Sequence, residues 1–470
     1  MVQACVHAIV LSAAFLGAAS LTGCTLEKLN PDLPALPAAF QNAAAPAAER
    51  VDPPPFAAFG SPELDRLIAA ADDHSPDLAA AIARVRQADA RARQAGAAIL
   101  PEVDADLAAT RFGGGSHGMT AHETDWSALL VASYEVDFWG KNRAARDSAH
   151  ASAMSSRADL RTARITILTS VAGTYFQIQS LRERIALARL NLKTATDVLQ
   201  FVESRYGAGA LGPADLAGQR AAVAGTTLII PQLQQQEVEA LGALAVLVGQ
   251  PPEGFTVETL PLDRMTEPAI AAGLPASLLQ RRPDLVAAEY NLQAAHADLA
   301  AARAALFPSL SLSAGGGVAN PAVQAAVITL AGAGYSLTAG ADLVQTVFDN
   351  GRRRAVTREA AAREEELLAN YRGAIFSALA DVEKSLAEID HLNAQKAAQL
   401  AYVAASERAF EGAQLRYREG SAEYVAVLES QRILYAAREQ YGEYELARLQ
   451  ALLGLNKALG GGWDTVEASR

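Results

Sequence analysis

The pattern of apolar and polar residues divides the chain into long helical stretches and four short alternating ones. Residues 141–206, and again residues 352–417, contain no proline and are rich in alanine, leucine, glutamate and arginine. At about 1.5 Å per residue, each stretch predicts a helix of about 100 Å. Shorter helices are predicted over residues 77–100, 214–248, 283–306 and 423–459.

Four short segments alternate apolar and polar residues, which predicts strands. They cover residues 101–112, 126–138, 308–318 and 335–348. Strands of about 10 alternating residues are typical of membrane β-barrels, although a half-buried soluble sheet gives the same pattern. The glycine-rich segment 113–125, between the first two strands, is interpreted as an extracellular hairpin loop.

The chain contains an internal sequence repeat of two copies. Four landmarks recur in the same order, two of them after 207 residues and two after 211 residues, which predicts two copies of helix, two strands, long helix, turn and helix. The landmarks are SPDLAAA and RPDLVAA, starting at residues 75 and 282, Pro101 and Pro308, GKNRA and GRRRA, starting at 140 and 351, and RYGAG and RYREG, starting at 205 and 416.

These landmarks set the predicted domain organisation. The first structural repeat is assigned to residues 63–260 and the second to residues 261–460, with a C-terminal tail at 461–470. The shorter helices predicted over residues 214–248 and 283–306 together nearly match the length of a long helix, and so do those over residues 77–100 and 423–459. A proline- and glycine-rich connector follows residue 250, and it predicts an equatorial belt at mid-height of the helices.

The N-terminal residues have the profile of a bacterial lipoprotein signal. An apolar stretch from Ala8 to Leu21 is too short to span a membrane and is followed by small residues, as in secretory signals. It ends in the sequence LTGC, which resembles the lipoprotein box. That resemblance implies a signal peptide at residues 1–23, lipidation of Cys24 and a lipid-anchored segment at 24–62. By the same resemblance, Thr25 in place of aspartate permits sorting to the outer membrane.

Composition and charge exclude several classes of function. A formal net charge of −12 argues against binding to nucleic acid, whose phosphates require a basic surface. The two cysteines both lie within the first 24 residues, so the rest of the chain has no disulfide or thiolate metal site. The seven histidines show no metal-ligand spacing. No catalytic constellation, cofactor or metal site is predicted, and the chain is not expected to be an enzyme.

Four strands are too few to close a barrel. Two chains would give eight strands, whose interior is filled by side chains, whereas three chains would give twelve strands around a water path. A homotrimer is therefore predicted. The predicted fold class is an α+β membrane protein, in which four β-strands per chain complete a trimeric 12-stranded β-barrel accompanied by the long helices and their equatorial belt.

Residues 272–315 closely resemble the corresponding stretch of outer membrane factors, the TolC-like channels, and in particular their OprM/NodT-like lipoprotein branch. The stretch contains QRRPDL, and the lipoprotein box and the FDNGRRRA segment at residues 348–355 agree with it. The resemblance implies that the helices form a long α-helical periplasmic barrel with an equatorial belt below the trimeric 12-stranded β-barrel. It also implies an outer-membrane channel subunit of a tripartite efflux system. Such a channel exports small molecules or drugs and works with a periplasmic adaptor and an inner-membrane pump.

Two alternatives to an efflux channel remain at this stage. One is an outer-membrane channel for type I protein secretion. The other is a periplasmic coiled-coil lipoprotein or adaptor without a pore. The second alternative explains the helices and the lipid anchor, but it does not explain four alternating strands placed symmetrically in two repeats.

Two Arg-Tyr-x-x-Gly turns are the candidate functional elements. Their glycines can adopt the positive φ that ends a helix and reverses the chain. Each turn lies a full helix length from the strands along the chain, so the turns are predicted to be periplasmic tips on which the adaptor docks. The residues of these tips are Arg205, Tyr206, Gly209, Arg416 and Gly420.

The family resemblance also implies a gate near these tips. It assigns the constricting tyrosine to Tyr417, the apolar gate position to Val425, the acidic ring to Glu429 and the acidic position of the first copy to Asp215. Ala422 and Ala426 stand where relatives carry an arginine and an aspartate. A salt-bridged lock is therefore not expected, and a constriction made of Val425 and Glu429 is favoured.

Overall fold

The described chain repeats one series of elements, as the sequence landmarks predicted. The computed structural model describes residues 31, 33–43, 56–116, 119–268, 273–319 and 335–461. The predicted signal peptide, Cys24 and all but the first residue of the predicted C-terminal tail lie outside these residues. Within the described residues, no helix is apolar enough over a sufficient length to cross a membrane.

The two copies agree helix by helix, since corresponding helices contain 22, 67 and 35 residues in both. Equal lengths in the same order support an internal duplication. The first copy consists of α2 (Pro76–Ala97), β1 (Glu102–Ser116), β2 (Met119–Val136), α3 (Lys141–Gly207) and α4 (Pro213–Leu247), preceded by α1 (Pro62–His74). The second copy consists of α5 (Pro283–Ala304), β3 (Ser309–Ala319), β4 (Tyr335–Val344), α6 (Arg352–Arg418) and α7 (Tyr424–Ala458).

Helix α1 was not predicted from the sequence. Its N-cap is Ser61, whose hydroxyl accepts the backbone N–H of Leu64 at 3.2 Å. Pro62 occupies the first helical position, where its missing N–H costs no hydrogen bond. Leu64 and Leu67 are buried. The Ser-Pro pair followed by leucines at helical spacing was a usable signal.

The four strands form one antiparallel sheet in the order β1-β2-β3-β4. The register places apolar residues next to apolar ones, since Leu130 pairs with Ala105 on one side and Gly316 on the other, and Gly316 pairs with Leu337. On the other face, Glu135, Ser311 and Asp342 are neighbours. One face is therefore apolar across all four strands, as the alternation predicted.

The predicted hairpin loop over residues 113–125 is wrong. Strand β1 continues to Ser116 and β2 begins at Met119, with Gly113 paired to His122. Glycine weakens a strand but still offers both backbone groups to an antiparallel ladder, which satisfies them. The fourth strand, by contrast, is shorter than predicted and ends at Val344. The chain then turns through Asn350 and Gly351, which both have positive φ.

The chain consists of two compact units. The strand unit contains described residues of 85–157 and 287–372, and the helix unit contains those of 34–84, 158–286 and 373–461. The core of the helix unit includes Tyr175, Phe176 and Ile178 of α3 together with Phe59 and Leu244. Burial of these large apolar side chains stabilises the helix unit.

The connector after α4 packs on α3 through polar side chains. The Gln179 amide donates to the Glu258 carbonyl at 2.8 Å and accepts the Leu260 N–H at 3.0 Å. Glu183 accepts the Leu262 N–H at 2.7 Å, and Arg182 pairs with Glu237 of α4 at 2.7 Å. The irregular connector thus obtains from one helix the hydrogen bonds that it cannot form within itself.

The two faces of the sheet predict different responses to an arginine. If the apolar face contacts lipid, as the alternation predicts, Leu130→Arg should destabilise the inserted protein by roughly 2–4 kcal/mol. Ser133→Arg should be tolerated, because Ser133 pairs with Glu102 on the polar face of the same strand. Urea titration of protein refolded into lipid vesicles measures both changes. Equal losses of stability would contradict the assignment of the two faces.

Candidate functional site

Both Arg-Tyr-x-x-Gly turns end a long helix in the same way. In the first, the N–H of Ala210 donates to the carbonyl of Arg205, and the N–H of Gly209 donates to that of Tyr206, each at 2.9 Å. The second turn contains the two equivalent bonds: the N–H of Ser421 donates to the carbonyl of Arg416, and the N–H of Gly420 donates to that of Tyr417. Gly209 has φ +72° and Gly420 has φ +75°, a conformation that is costly for any other residue. The predicted helix-ending role of both glycines is confirmed.

The first turn joins α3 and α4 into one helical hairpin, and the second joins α6 and α7 into another. Beside these turns, the two hairpins share a cluster of apolar and aromatic residues, here called the tip cluster. The Tyr417 ring lies 5.7 Å from that of Phe201 and 5.4 Å from that of Tyr424. The Arg205 guanidinium lies 5.4 Å from the centroid of Phe201 and 5.5 Å from that of Tyr417, within cation–π range. The buried members of the tip cluster are Val198, Val202, Leu216, Phe410, Ala413, Tyr417, Tyr424, Val427 and Leu434.

A buried hydrogen-bond chain connects three helices at the tip cluster. The Tyr424 hydroxyl of α7 donates to the side-chain oxygen of Gln219 in α4. The Gln219 amide donates in turn to the carbonyl of Ala195 in α3, at 2.7 Å. Burial raises the pKa of Tyr424 far above its ordinary value, so its hydroxyl stays protonated and remains a donor.

Val425 and Glu429 lie on the exposed side of α7. Val425 is 63% exposed, whereas Tyr424, Val427 and Gln431 are buried. Since residues four apart share a helix face, Val425 and Glu429 point in the same direction. Glu429 forms an ion pair with Arg432 at 2.6 Å. The hydrogen bond from Arg432 lowers the pKa of Glu429, so the carboxylate of a single chain is ionised at neutral pH.

Tyr417 does not share this exposed side, contrary to its expected place as the constricting tyrosine. It is only 6% exposed, and its hydroxyl has no hydrogen-bond partner among the described residues. The equivalent Tyr206 of the first copy is exposed. The asymmetry has a simple cause: Tyr417 packs on Tyr424, whereas the first copy has Pro213 at the position equivalent to Tyr424.

The remaining predicted residues take different places. Asp215 accepts the N–H of Gly212 at 3.2 Å and thereby stabilises the start of α4. Arg416 is exposed on the second turn, and Arg205 donates to the Arg418 carbonyl at 3.3 Å. Across the described ranges, no group of three or more histidine, cysteine or carboxylate side chains is placed to hold a metal ion.

Three residues that shape this site were missed in the sequence. Gln219 is buried on α4, and a glutamine on an otherwise apolar helix stripe is a recognisable signal. Arg432 follows Glu429 by three residues, the spacing of a helical ion pair. Tyr424, which donates to Gln219, stands directly before the predicted Val425.

Residues 67–250 and 274–461 match the family model described as outer membrane efflux protein. The chain belongs to this family. Its similar relatives include the pyoverdine export outer membrane proteins OpmQ of Pseudomonas aeruginosa, 45% identical with 87% of each chain covered, and of Pseudomonas putida, 43% identical with 92% of this chain and 93% of the relative covered. The solved outer-membrane channel OprN superposes with a TM-score of 0.85 at 27% identity, over 94% of this chain and 99% of that one.

Family membership confirms the predicted function and location of the chain as an outer-membrane efflux channel. The predicted fold class is also confirmed, since the described helices and four antiparallel strands have the fold of solved outer-membrane channels. The two matched segments coincide closely with the two structural copies. An adaptor without a pore does not account for this family, so that alternative is set aside.

The buried hydrogen-bond chain predicts a stability difference between two tyrosines. Tyr424→Phe should lower the free energy of unfolding by roughly 1–3 kcal/mol, because the Gln219 oxygen loses its buried donor. Tyr206→Phe removes the same hydroxyl from an exposed ring and should leave stability unchanged. Urea unfolding followed by circular dichroism measures both variants. If Tyr424→Phe unfolds at the same urea concentration as the parent, the hydrogen bond does not stabilise the tip cluster.

Proposed function

We propose that three copies of this chain close a channel by pairing β1 of one copy with β4 of the next. Both strands are edges of the described sheet, so each presents unpaired N–H and C=O groups along one side. Such groups cost several kcal/mol each in the hydrocarbon of a membrane, as an order of magnitude, which favours closure into a ring. Twelve strands also leave a water path, which eight do not.

In this arrangement, the apolar face contacts lipid and the polar face lines the lumen. The polar face carries the carboxylates Glu102, Asp104, Asp106, Glu135 and Asp342. Three copies multiply these charges around one water path. The lumen is therefore electronegative and passes cations more readily than anions.

The exposed side of α7 supplies the proposed gate. Among the described residues, Val425 and Glu429 are exposed, whereas their neighbours Tyr424 and Val427 are buried. Three copies of α7 around one axis would bring three valines and three glutamates together. Tyr417 is part of the tip cluster, so we assign it to holding the two hairpins together and not to the constriction itself.

The exported substrate is proposed to be pyoverdine or a molecule of its kind. The 45% identity to OpmQ of Pseudomonas aeruginosa, spread over 87% of both chains, supports this substrate over a secreted protein. The channel would work with a periplasmic adaptor and an inner-membrane pump. We propose that the adaptor docks on the turn residues Arg205, Tyr206, Gly209, Arg416 and Gly420, of which all but Arg205 are exposed in the single chain.

A complementation experiment tests the substrate. A Pseudomonas strain without OpmQ that expresses this chain should recover pyoverdine in its medium, measured by fluorescence. The Leu130→Arg variant is the matched control, because its inserted barrel should be destabilised. Unchanged pyoverdine export, with the parent chain shown to be a trimer in the outer membrane, would exclude pyoverdine as the substrate while leaving the channel intact.

The proposed gate predicts a change in conductance. Val425→Ala should raise the conductance of the trimer in a planar bilayer because it removes apolar bulk at the narrowest point. Glu429→Ala should reduce its preference for cations because it removes three carboxylates and leaves the charge of the three Arg432 side chains without a counter-charge. Exposed Val238 on α4 offers a control, since Val238→Ala makes the same change away from the tip cluster. A double Val425→Ala, Glu429→Ala variant that conducts like the parent would place the constriction elsewhere.

A further inference from the structure

The two junctions at which a strand leads into a long helix have equivalent positions but different charges. In the first junction, between β2 and α3, Lys141 pairs with Glu135 at 2.6 Å and Arg143 pairs with Asp137 at 3.2 Å. Residues 135–147 contain three basic and three acidic residues. The first junction is therefore electrically neutral.

The second junction, residues 346–358 between β4 and α6, keeps the cations but lacks the two carboxylates that pair with them in the first junction; its own Asp349 pairs with Arg353 at 3.9 Å. Arg352 and Arg354 follow Lys141 and Arg143 by 211 residues, but Thr346 and Phe348 stand where the two acidic residues were. Both arginines are exposed, and neither forms a salt bridge with an acidic side chain in the described part of the chain. Residues 346–358 contain four arginines and one aspartate, so their formal charge is +3 (4 − 1), whereas the whole chain has a formal net charge of −12.

The surface around the second junction is apolar and aromatic. Val347 is 94% exposed and Phe348 is 82% exposed. The Trp139 and Phe307 rings stack with centroids 4.6 Å apart. A cavity of about 280 Å³ lies beside these two rings. It is lined by Trp139 and Phe307, by Arg352 and Arg353 of the second junction, and by Glu135 and Asp137 of the first junction.

Aromatic rings beside unpaired basic residues are typical of the boundary between a membrane and water. The second junction begins directly after β4, so it lies at such a boundary if the strands span the membrane, and in this respect the inference rests on the proposed channel. The first amides of α6 are not available to an anion, because Asp349 accepts the N–H groups of Gly351 and Arg353. An anion here would contact arginine side chains.

We propose that the second junction binds the phosphate group of an anionic phospholipid in the periplasmic leaflet. Arg352 and Arg354 contact the phosphate, and the exposed Val347 and Phe348 lie against the acyl chains near the headgroup. The first junction borders the same cavity, but its carboxylates Glu135 and Asp137 are paired with Lys141 and Arg143, so the arginines of the second junction hold the phosphate. Each chain would hold one lipid at this position, which is separate from the predicted lipid on Cys24.

The test uses the full-length trimer in detergent, titrated with phosphatidylglycerol or phosphatidylcholine and observed by native mass spectrometry. Arg352→Gln with Arg354→Gln should weaken phosphatidylglycerol binding by about 25-fold, since each arginine near an anionic membrane surface contributes about fivefold. Phosphatidylcholine binding should be weaker than phosphatidylglycerol binding in the parent and little changed in the variant. The matched control is Arg84→Gln with Arg86→Gln, two exposed arginines at the same spacing on α2, about three helical turns before its end.

A second variant tests the site with both arginines intact. Thr346 is equivalent to Glu135 of the first junction, and its hydroxyl accepts a hydrogen bond from Arg353 at 2.6 Å. Thr346→Glu places a carboxylate beside the arginines and should also weaken phosphatidylglycerol binding, whether or not the arginine variant folds. Equal phosphatidylglycerol binding by the parent, the arginine variant and Thr346→Glu would overturn the proposal. The proposal would also be overturned if inorganic phosphate, added at the same concentration as the lipid, displaced phosphatidylglycerol as well as the lipid displaces itself. That result would identify a soluble anion as the ligand. Trimers that conduct but show no lipid preference would refute only this site, whereas absence of trimers would refute the channel.

Discussion

The constraint on which this structure depends is that backbone N–H and C=O groups cannot remain unpaired inside a membrane. One chain contributes a sheet of four strands with two open edges, β1 and β4. The edges require other chains, and a closed ring of three gives every residue two symmetry-related copies. A single exposed valine or glutamate near the axis therefore becomes a ring of three. Closure of the barrel edges is therefore the condition under which the exposed face of α7 could form the proposed constriction.

Internal duplication explains both the regularity of the fold and the places where it functions. Helices of 22, 67 and 35 residues recur in both copies, because each must pack along its neighbours over the same length. The two copies differ at the tip cluster and at the junctions between strand and helix. Pro213 corresponds to Tyr424 at the tip cluster, and Glu135 corresponds to Thr346 at the junctions. Departures from the internal repeat therefore mark candidate sites in a single sequence, without an alignment.

Much of the fold follows from local patterns, whereas the tip cluster does not. Long proline-free stretches and strict alternation have few alternative structures, so the bounds of α3 and α6 were predicted to within one residue. The hydrogen bond between Tyr424 and Gln219 joins residues 205 apart in the chain, and no periodicity encodes such a pairing. The burial of Tyr417 also depends on which ring lies opposite it. The glycine-rich hairpin was mispredicted because glycine permits a loop without requiring one.

The charge on Glu429 bears on how the proposed gate would close. Three adjacent carboxylates would raise one another's pKa by repulsion, but Arg432 lies beside each one and acts in the opposite direction. In the proposed gate, three glutamates with three arginines would form a ring of little net charge, so repulsion would not by itself force the chains apart. A closed state would then depend on the apolar contact of Val425 and on the tip cluster, which packs α7 against α3 and α4. In such a gate the hairpins would open as packed units, since the hydrogen bond between Tyr424 and Gln219 resists their separation within each chain.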